Sequence, residues 1–377
     1  MLRISDSGPE IDNKPLFKQR KIPAKFAMTL RALRHRNYRL FFSGQLFSLI
    51  GTWMQMVAQS WLVYRLTGSS LMLGSVGFAS QIPVFLLAFV VELVEKEDLM
   101  NAIALNSSAF NGARVIGPAI AGILIAVIGD GWCFFINGVS FSTVIAGLLL
   151  MKLKPRESVK SDGSAISNVL EGLRYVRHTK PFRALLLLMA LVSVMGMQYS
   201  VLMPIFADKI LHGGARGLGI LMGATGFGAL AGSMSIAARS STRGLGRLVG
   251  FACVGFGASL TFFSLSRNFW LSVLFMVPVG FSFMVLMAST NTLLQLMVPD
   301  RLRGRVMAMH VMMFMGMLPF GSLLAGAVAA KVGAPLTVLM GAVLCLVGSG
   351  IFMLRLSKLQ LGTSNPIRTH VNDSDYI

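Results

Sequence analysis

One stretch of this chain occurs twice, and the repetition limits the folds that the chain can adopt. Residues 94–129 align without gaps on residues 298–333, at an offset of 204 positions, and nine of the 36 pairs are identical. Composition alone would give roughly three identical pairs over this length. The identical pairs are Val94/Val298, Ala104/Ala308, Phe110/Phe314, Gly112/Gly316, Gly117/Gly321, Ala121/Ala325, Gly122/Gly326, Ala126/Ala330 and Gly129/Gly333. Because three glycines recur five residues apart within an apolar run in both copies, we predict two related halves in parallel orientation.

Composition places these halves in a membrane. Hydrophobic residues make up 54% of the chain and charged residues only 13%, and apolar runs of about twenty residues follow one another. A net charge of +19 is typical of nucleic-acid-binding proteins, but here the basic residues lie between the apolar runs and do not form one patch. We therefore expect no nucleic-acid partner. The three cysteines show no metal-ligand spacing, so we expect no metal and no cofactor.

The apolar runs predict an all-α, polytopic membrane protein of about ten helices in two pseudo-symmetric bundles of four and six. Predicted spans are 38–66, 71–91, 100–128, 132–151, 183–206, 218–238, 248–266, 270–297, 306–330 and 333–354. They divide the chain into a basic segment (1–37), a first bundle (38–151), a linker (152–182), a second bundle (183–354) and a disordered tail (355–377). In the linker, Ile166, Val169, Leu170, Leu173 and Val176 share one helical face, which predicts a helix on the membrane surface or a connector packed on nothing.

Basic residues set the predicted orientation. If the chain starts inside, inner segments hold 28 Lys and Arg residues and outer segments five, with Arg114 left within a span. This asymmetry predicts that both termini are cytoplasmic. The first 37 residues contain no short apolar core before a cleavage site, so we expect no removable signal peptide.

The two halves differ in length. Near the second span, Leu73-Gly74 pairs with Leu218-Gly219 at an offset of 145, whereas the longer repeat has an offset of 204. The difference of 59 residues corresponds to about two membrane helices with a loop, and it falls near residues 87–91. We therefore predict that the first half is shorter by two helices, an even number that preserves the later topology.

Three stretches carry a family resemblance. They are Asn37-Tyr-Arg-Leu-Phe-Phe-Ser-Gly-Gln through Ser60-Trp-Leu-Val-Tyr-Arg-Leu-Thr-Gly-Ser, then Glu97-Asp-Leu-Met-Asn-Ala-Ile-Ala-Leu-Asn-Ser, and Gly112-Ala-Arg-Val-Ile-Gly-Pro-Ala-Ile-Ala-Gly. The chain resembles major facilitator superfamily exporters of the enterobactin-exporter, or transmembrane secretion effector, type from Arg31 to Leu354. The resemblance implies twelve helices in two six-helix bundles, a bacterial inner-membrane location and export of a small molecule by alternating access. The Gly112–Gly122 stretch is similar to a fifth-helix motif of facilitator antiporters, which favours efflux over uptake.

The chain also departs from this family. The family pattern has a cytoplasmic Gly/Asp/Arg signature loop between the second and third helices, and this sequence has none there. The two helices that flank this loop in the family also have no counterpart in this sequence, in agreement with the 59-residue difference. The sequence thus leaves open whether the chain transports or is a transport-impaired remnant of such an exporter.

A polar stripe follows the first span. Gln45, Ser48, Thr52, Gln55 and Gln59 lie on one helical face, where lipid would not solvate their amides and hydroxyls. We predict that Gln45, Thr52, Gln55 and Gln59 contact the substrate in a central cavity, since in such transporters the site lies at the repeat interface. The alternative is that the stripe joins helices within the protein.

A cation and several amides are further candidates. Arg114 lies about fifteen residues into its span, where it contacts an anionic substrate group, belongs to the gating machinery or binds backbone carbonyls. Asn137 and Asn291 are weaker predicted substrate contacts, like Gln198 and Gln295, because each is more often a buried amide with a partner. Asp208 and His310 lie near predicted span ends and are not convincing proton carriers.

Glycine and proline make up the third predicted set. Small residues let helices approach and bend, so the repeated set predicts either tight packing or gating between the bundles. The set is Gly112, Gly117, Pro118, Gly122, Gly316, Gly321 and Gly326.

Taken together, the residues favour a secondary transporter that moves a small siderophore-like or drug-like molecule across the lipid bilayer, with a proton as a possible coupling ion. The chain has no Gly-x-x-x-x-Gly-Lys-Ser/Thr sequence for ATP, which favours an ion gradient as the energy source. An embedded enzyme is disfavoured because the acids lie in loops and the five histidines are scattered.

Overall fold

The predicted spans fold as helices. A computed structural model of the chain describes residues 36–87, 99–150, 179–239, 241–299 and 302–355, and in these ranges it contains ten helices and no strand. The basic amino-terminal segment up to residue 35, the linker face at residues 166–176 and the tail from residue 356 lie outside the described residues. The helices are α1 (Arg36–Thr67), α2 (Ser70–Leu87), α3 (Leu99–Val127), α4 (Gly131–Leu149), α5 (Lys180–Ile210), α6 (Gly214–Ala237), α7 (Leu245–Leu265), α8 (Phe269–Met297), α9 (Arg303–Val332) and α10 (Ala334–Arg355).

Length and composition fit most of these helices to a bilayer. Within the described ranges, the seven helices α4 to α10 are long and apolar enough to cross a membrane, and α3 contains the shorter apolar stretch Gly112–Val127. Helix α1 is long enough, at 32 residues, but its polar stripe makes it less apolar than the others. The all-helical membrane architecture expected from the sequence is therefore confirmed.

Several helices extend beyond the apolar runs that predicted them. Helix α5 begins at Lys180 and α9 begins at Arg303, each three residues before the predicted span. Pro181 occupies the first turn of α5, where its missing N–H has no helical partner to lose. Hydropathy detects only the apolar part of a span, whereas the helix continues into a charged turn whose long side chains reach the interface.

The first contact between the halves is a crossing of α3 and α6. A Cβ added to Gly122 would lie 2.9 Å from the Cα of Gly219 and 3.1 Å from the carbonyl oxygen of Ala215. A Cβ added to Gly219 would lie 2.7 Å from the carbonyl oxygen of Pro118. The two backbones therefore touch at a point that only glycine permits.

The second contact between the halves, of α2 with α9, repeats the first. A Cβ added to Gly326 would lie 2.9 Å from the Cα of Gly74 and 2.6 Å from the carbonyl oxygen of Ser70, and one added to Gly74 would lie 2.5 Å from that of Ser322. Gly326 and Ser322 stand 204 residues after Gly122 and Pro118, and Gly74 and Ser70 stand 145 residues before Gly219 and Ala215. The offsets read from the sequence therefore relate two equivalent contacts.

A further pair of repeated glycines has equivalent surroundings within each half. A Cβ on Gly117 of α3 would lie 2.9 Å from the carbonyl oxygen of Ile50 in α1. Its counterpart Gly321 in α9 would meet the carbonyl oxygen of Val194 in α5 at the same 2.9 Å. The first helix of each half thus packs against the helix that carries the repeated glycines.

The two halves differ in what covers their last helix. In the second half α7 packs along α10, so Cys345 and Ser349 are fully buried and Phe352 is 4% exposed. The residues 204 positions earlier in α4 are Phe141, Ile145 and Leu148, which are 48%, 56% and 52% exposed. Among the described residues no helix covers this face of α4, and the pair α7–α8 has no counterpart in the first half.

Candidate functional site

Part of the polar stripe on α1 joins two helices of the first half. The amide nitrogen of Asn137 in α4 donates a hydrogen bond of 2.5 Å to Oε1 of Gln55, and the Ser140 hydroxyl donates to Oδ1 of Asn137 at 3.2 Å. Gly51 lets the helices approach here, since a Cβ on it would lie 2.8 Å from Ser140 Oγ. The structure therefore brings Gln55 and Asn137 together as partners of each other.

The remaining stripe residues have separate surroundings. Gln59 donates a 3.0 Å hydrogen bond to Ser80 Oγ in α2, whereas the hydroxyl of Thr52 donates to a carbonyl of its own helix at 2.8 Å. Gln45 is half-buried. Asn291 lies far from this stripe in sequence, is exposed on α8 and accepts a 3.0 Å hydrogen bond from Gln295. Their predicted role in substrate binding stays a prediction.

Arg114 occupies the contact region between the two halves. Its guanidinium carbon lies 5.5 Å from the ring centroid of Trp53 in α1 and 5.4 Å from that of Phe283 in α8, so one ring comes from each half. The side chain is half-buried, and it makes no hydrogen bond or salt bridge with any residue in the described part of the chain. A cation in mid-membrane costs roughly 2.5 to 3.5 kcal/mol on insertion scales. Cation–π contacts worth about 0.5 to 2 kcal/mol each offset part of that cost.

Aromatic rings continue from Arg114 into both halves. Phe283 lies 5.9 Å from Phe256 and 5.7 Å from Phe314, measured between ring centroids, and all three rings are buried. In the first half, Trp53 contacts Phe110 edge to face at 5.6 Å. Sequence reasoning singled out the arginine but missed these rings, because no local pattern shows which aromatic residues meet between helices distant in sequence.

A hydrogen bond links the carboxyl ends of α1 and α5, one helix from each half. The hydroxyl of Tyr64 donates to Oδ2 of Asp208 at 2.9 Å, and the ammonium of Lys209 lies 5.9 Å from the Tyr64 ring centroid. Within the first half, Arg65 forms a 2.9 Å salt bridge with Asp130. Asp208 thus lies at a helix end, as expected, and its tyrosine partner was not predicted.

His310 is more deeply placed than the sequence indicated. It lies seven residues after the start of α9, is 4% exposed, and its Nδ1 has no hydrogen-bond partner within the described ranges. His310 thus lies near a helix end, as expected, but it is buried because the segment Arg303–Met315 of α9 packs against α5 and α8. One turn further on, the carbonyl of Phe314 accepts a 2.5 Å hydrogen bond from Ser193 of α5.

The predicted glycine set divides by surroundings. Gly117, Gly122, Gly321 and Gly326 stand at close helix contacts, whereas a Cβ on Gly112 would meet nothing within 4 Å. Gly316 lies where α9 is interrupted between its segments Arg303–Met315 and Leu318–Val332. The repeated pair Gly112/Gly316 is therefore not equivalent in structure, although both permit bending.

An apolar groove in the described residues has no lining contribution from Arg114. It lies between α1, α3 and α4, has a volume of about 270 Å³ and is lined almost wholly by apolar side chains such as Phe47, Ile120 and Val139. None of the stripe residues lines it. Elsewhere in the described ranges, no three His, Cys, Asp or Glu side chains are grouped so that they could hold a metal ion.

Comparison with curated proteins finds bacterial exporters. The chain is 27% identical to the multidrug efflux pump Tap of Mycolicibacterium fortuitum over 70% of its own length and 66% of Tap. It is 24% identical to the staphyloferrin A transporter of Staphylococcus aureus over 74% of the chain and 70% of that protein. The match to the enterobactin exporter EntS of Escherichia coli, at 27% identity, covers 61% of the chain and 54% of EntS. The chain thus spans about two thirds or less of the length of Tap and EntS.

Solved structures agree on the fold. A POT family transporter in complex with a thioalcohol-conjugated peptide matches 86% of the chain and 96% of its own length, with a TM-score of 0.66 and 11% identity. A bacterial homologue of the lysosomal transporter Spinster matches 92% of the chain and 100% of its own length, with a TM-score of 0.59 and 12% identity. At this level of identity the two matches support the fold alone.

The family itself is identified by a match to nearly the whole chain. The family model described as "Transmembrane secretion effector" matches residues 27–91 and 88–371, in two stretches that meet at residues 88–91. This family and the relatives above are membrane transporters of the major facilitator type, not enzymes. The chain belongs to the transmembrane secretion effector family of the major facilitator superfamily.

Proposed function

We propose that this protein is a secondary active transporter that exports a small siderophore-like or drug-like molecule by alternating access. The repeated crossing of the halves carries the proposal. Gly122 with Gly219, and Gly326 with Gly74, bring backbone against backbone at two equivalent places. At these points no side chain projects between the helices, which favours rocking of one half against the other.

The central position of Arg114 supports a cargo site between the halves. Its two ring contacts come from α1 and α8, which belong to different halves, so the surroundings of the guanidinium change when the halves move. Gln45, Thr52, Gln55, Gln59, Asn137 and Asn291 remain candidate contacts with cargo. Gln55 and Asn137 must first exchange their mutual hydrogen bond for bonds to a ligand.

An ion gradient energises the proposed export, since the chain has no phosphate-binding ATP motif. A proton is the coupling ion that we propose. The test uses inside-out membrane vesicles with an imposed pH gradient and two xanthene dyes, the net anion sulforhodamine B and the cation rhodamine 6G. Gradient-dependent accumulation of either dye supports the proposal. Equal dye content with and without the protein contradicts export of compounds of this class.

We further propose a bacterial inner-membrane location with both termini in the cytoplasm. Exposed Arg239, Arg243 and Arg247 lie at the α6–α7 connection, and Arg267 lies at the opposite ends of α7 and α8. The distribution of basic residues along the chain supports the first side as cytoplasmic. In intact cells, a membrane-impermeant maleimide should label Arg267→Cys but not Ser241→Cys, while the native cysteines are buried. The reverse pattern contradicts the orientation.

A second candidate is a transport-impaired remnant of such an exporter. The exposed face of α4, the absence of a described counterpart to α7–α8 and the break in the family match at residues 88–91 support loss of two helices. The test inserts about 59 residues from a longer relative near this break. Dye export by the extended form alone supports the remnant, and equal export by both forms contradicts it.

A further inference from the structure

No carboxylate among the described residues pairs with Arg114. It lies about 15 residues, or roughly 22 Å, along α3 from its start at Leu99. The buried phenol of Tyr199 is within electrostatic range, but no group in the described part of the chain accepts a hydrogen bond from the guanidinium. Its N–H donors are therefore not satisfied by those residues and can bind a ligand.

The two rings contact the guanidinium without accepting conventional hydrogen bonds from its donors. Trp53 and Phe283 hold the guanidinium carbon at 5.5 and 5.4 Å from their centroids, through contacts with the ring faces. A guanidinium donates its hydrogen bonds in its own plane, and a carboxylate or sulfonate accepts two of them side by side. The half-buried Arg114 side chain also retains accessible surface, unlike Phe283, which is 5% exposed.

We propose that Arg114 binds the anionic group of an organic cargo, whose apolar or aromatic part packs on the accessible rings of Trp53 and Phe110. This inference rests on the proposed export function and assigns its cargo as an organic anion. Trp53 is half-buried, and Phe110, in edge-to-face contact with it at 5.6 Å, is 43% exposed, so a planar hydrophobic group next to the anion gains contact area. Because the guanidinium also lies over Phe283 of the other half, the bound anion sits where the two halves meet.

The competing explanation is a purely structural arginine that ties α3 to its neighbours. Both explanations predict that removal of Arg114 lowers stability, so stability does not decide between them. Ligand charge does, because a structural arginine gives no preference for an anion over a cation of the same shape. A binding assay with two matched dyes therefore separates the explanations without requiring transport.

The experiment measures fluorescence polarisation of sulforhodamine B and rhodamine 6G with the purified full chain in detergent. We expect tighter binding of the anion, and Arg114→Met should weaken anion binding by about 10- to 100-fold without weakening rhodamine 6G binding. Arg114→Lys keeps the charge but loses the paired donors, so its affinity for sulforhodamine B should lie between those of the native protein and Arg114→Met. It replaces Arg114→Met in the assay if that variant does not fold. Benzoate should compete with the anion, and benzylamine should not.

Two results overturn the inference. One is equal sulforhodamine B binding by the native protein and both variants, and the other is competition by benzylamine as strong as that by benzoate. The vesicle assay separates this inference from the proposed export. If anion binding does not depend on Arg114 but vesicles carrying Arg114→Met still accumulate rhodamine 6G, export is supported and the anion site is refuted. If the anion binds through Arg114 but neither dye accumulates in vesicles, the anion site is supported and export of these dyes is refuted.

Discussion

The crossing of α3 and α6 gives the sharpest prediction, which concerns Gly122→Ala. The added Cβ would lie 2.9 Å from the Cα of Gly219, and neither backbone can rotate away as a side chain does. Carbon atoms in contact prefer about 3.5 to 4.0 Å, so the helices must separate by on the order of 1 Å. Overpacking of this kind costs roughly 1 to 3 kcal/mol.

Gly112→Ala is the matched control because it lies on the same helix and its Cβ meets nothing within 4 Å. Both variants gain about 0.5 to 1 kcal/mol of helix preference, so the difference between them isolates the crossing. If α3 and α6 touch in only one state of the transport cycle, the overpacking cost of roughly 1 to 3 kcal/mol destabilises that state alone. The population ratio of this state to the others then changes by about 5- to 150-fold. Gly326→Ala should behave like Gly122→Ala because it meets Gly74 in the same way.

The protein carries its own reporters of unfolding. Cys133, Cys253 and Cys345 are free thiols that are completely buried, so a thiol-reactive dye reacts as the helices separate on heating. We expect Gly122→Ala and Gly326→Ala to react at lower temperature than Gly112→Ala. Identical melting curves for Gly122→Ala and Gly112→Ala would refute the reasoning, since the helices would then not touch where the structure brings them together.

Three side-chain contacts give further predictions in the same melting assay. Tyr64→Phe removes the hydrogen bond to Asp208 and should cost about 1.5 to 3 kcal/mol, so a melting curve like that of the native protein contradicts this link between the halves. Asn137→Leu should cost roughly 0.6 to 1.7 kcal/mol, the range of polar contacts between membrane helices, and an unchanged curve means that the α1–α4 bond adds nothing. Arg65→Gln should cost less than about 1 kcal/mol, because that side chain is 51% exposed; a larger loss shows that solvent screens the salt bridge less than we expect.

The fold was predictable because its determinants are local or periodic. Apolar length gives each helix, and the repeated spacing of Gly117 and Gly122 with Gly321 and Gly326 identifies the helices that correspond between the halves. Close contacts could be predicted at these glycines without knowing their partners, since a close helix contact requires only the absence of a side chain. The prediction therefore identified positions of close helix packing, but not that α3 meets α6 and that α2 meets α9.

The candidate site was less predictable because its contacts join residues far apart in sequence. Arg114 was identifiable from its depth, but the rings of Trp53 and Phe283 lie on helices whose facing residues no periodicity reveals. Likewise, the polar stripe showed that its residues share a face without showing that Gln55 would meet Asn137. Depth within a span and helical periodicity show that a polar residue requires a partner. They do not show which residue that partner is, because this depends on how the helices are rotated about their axes.

The backbone character of the two crossings has a consequence for how such a protein diverges. At each crossing the essential atoms are carbonyl oxygens and Cα atoms, which every amino acid possesses, around a pair of glycines. Neighbouring positions are therefore free to change identity as long as those glycines stay. Two copies of an ancestral segment can drift to nine identities in 36 positions and still fit their partner helices in the same manner.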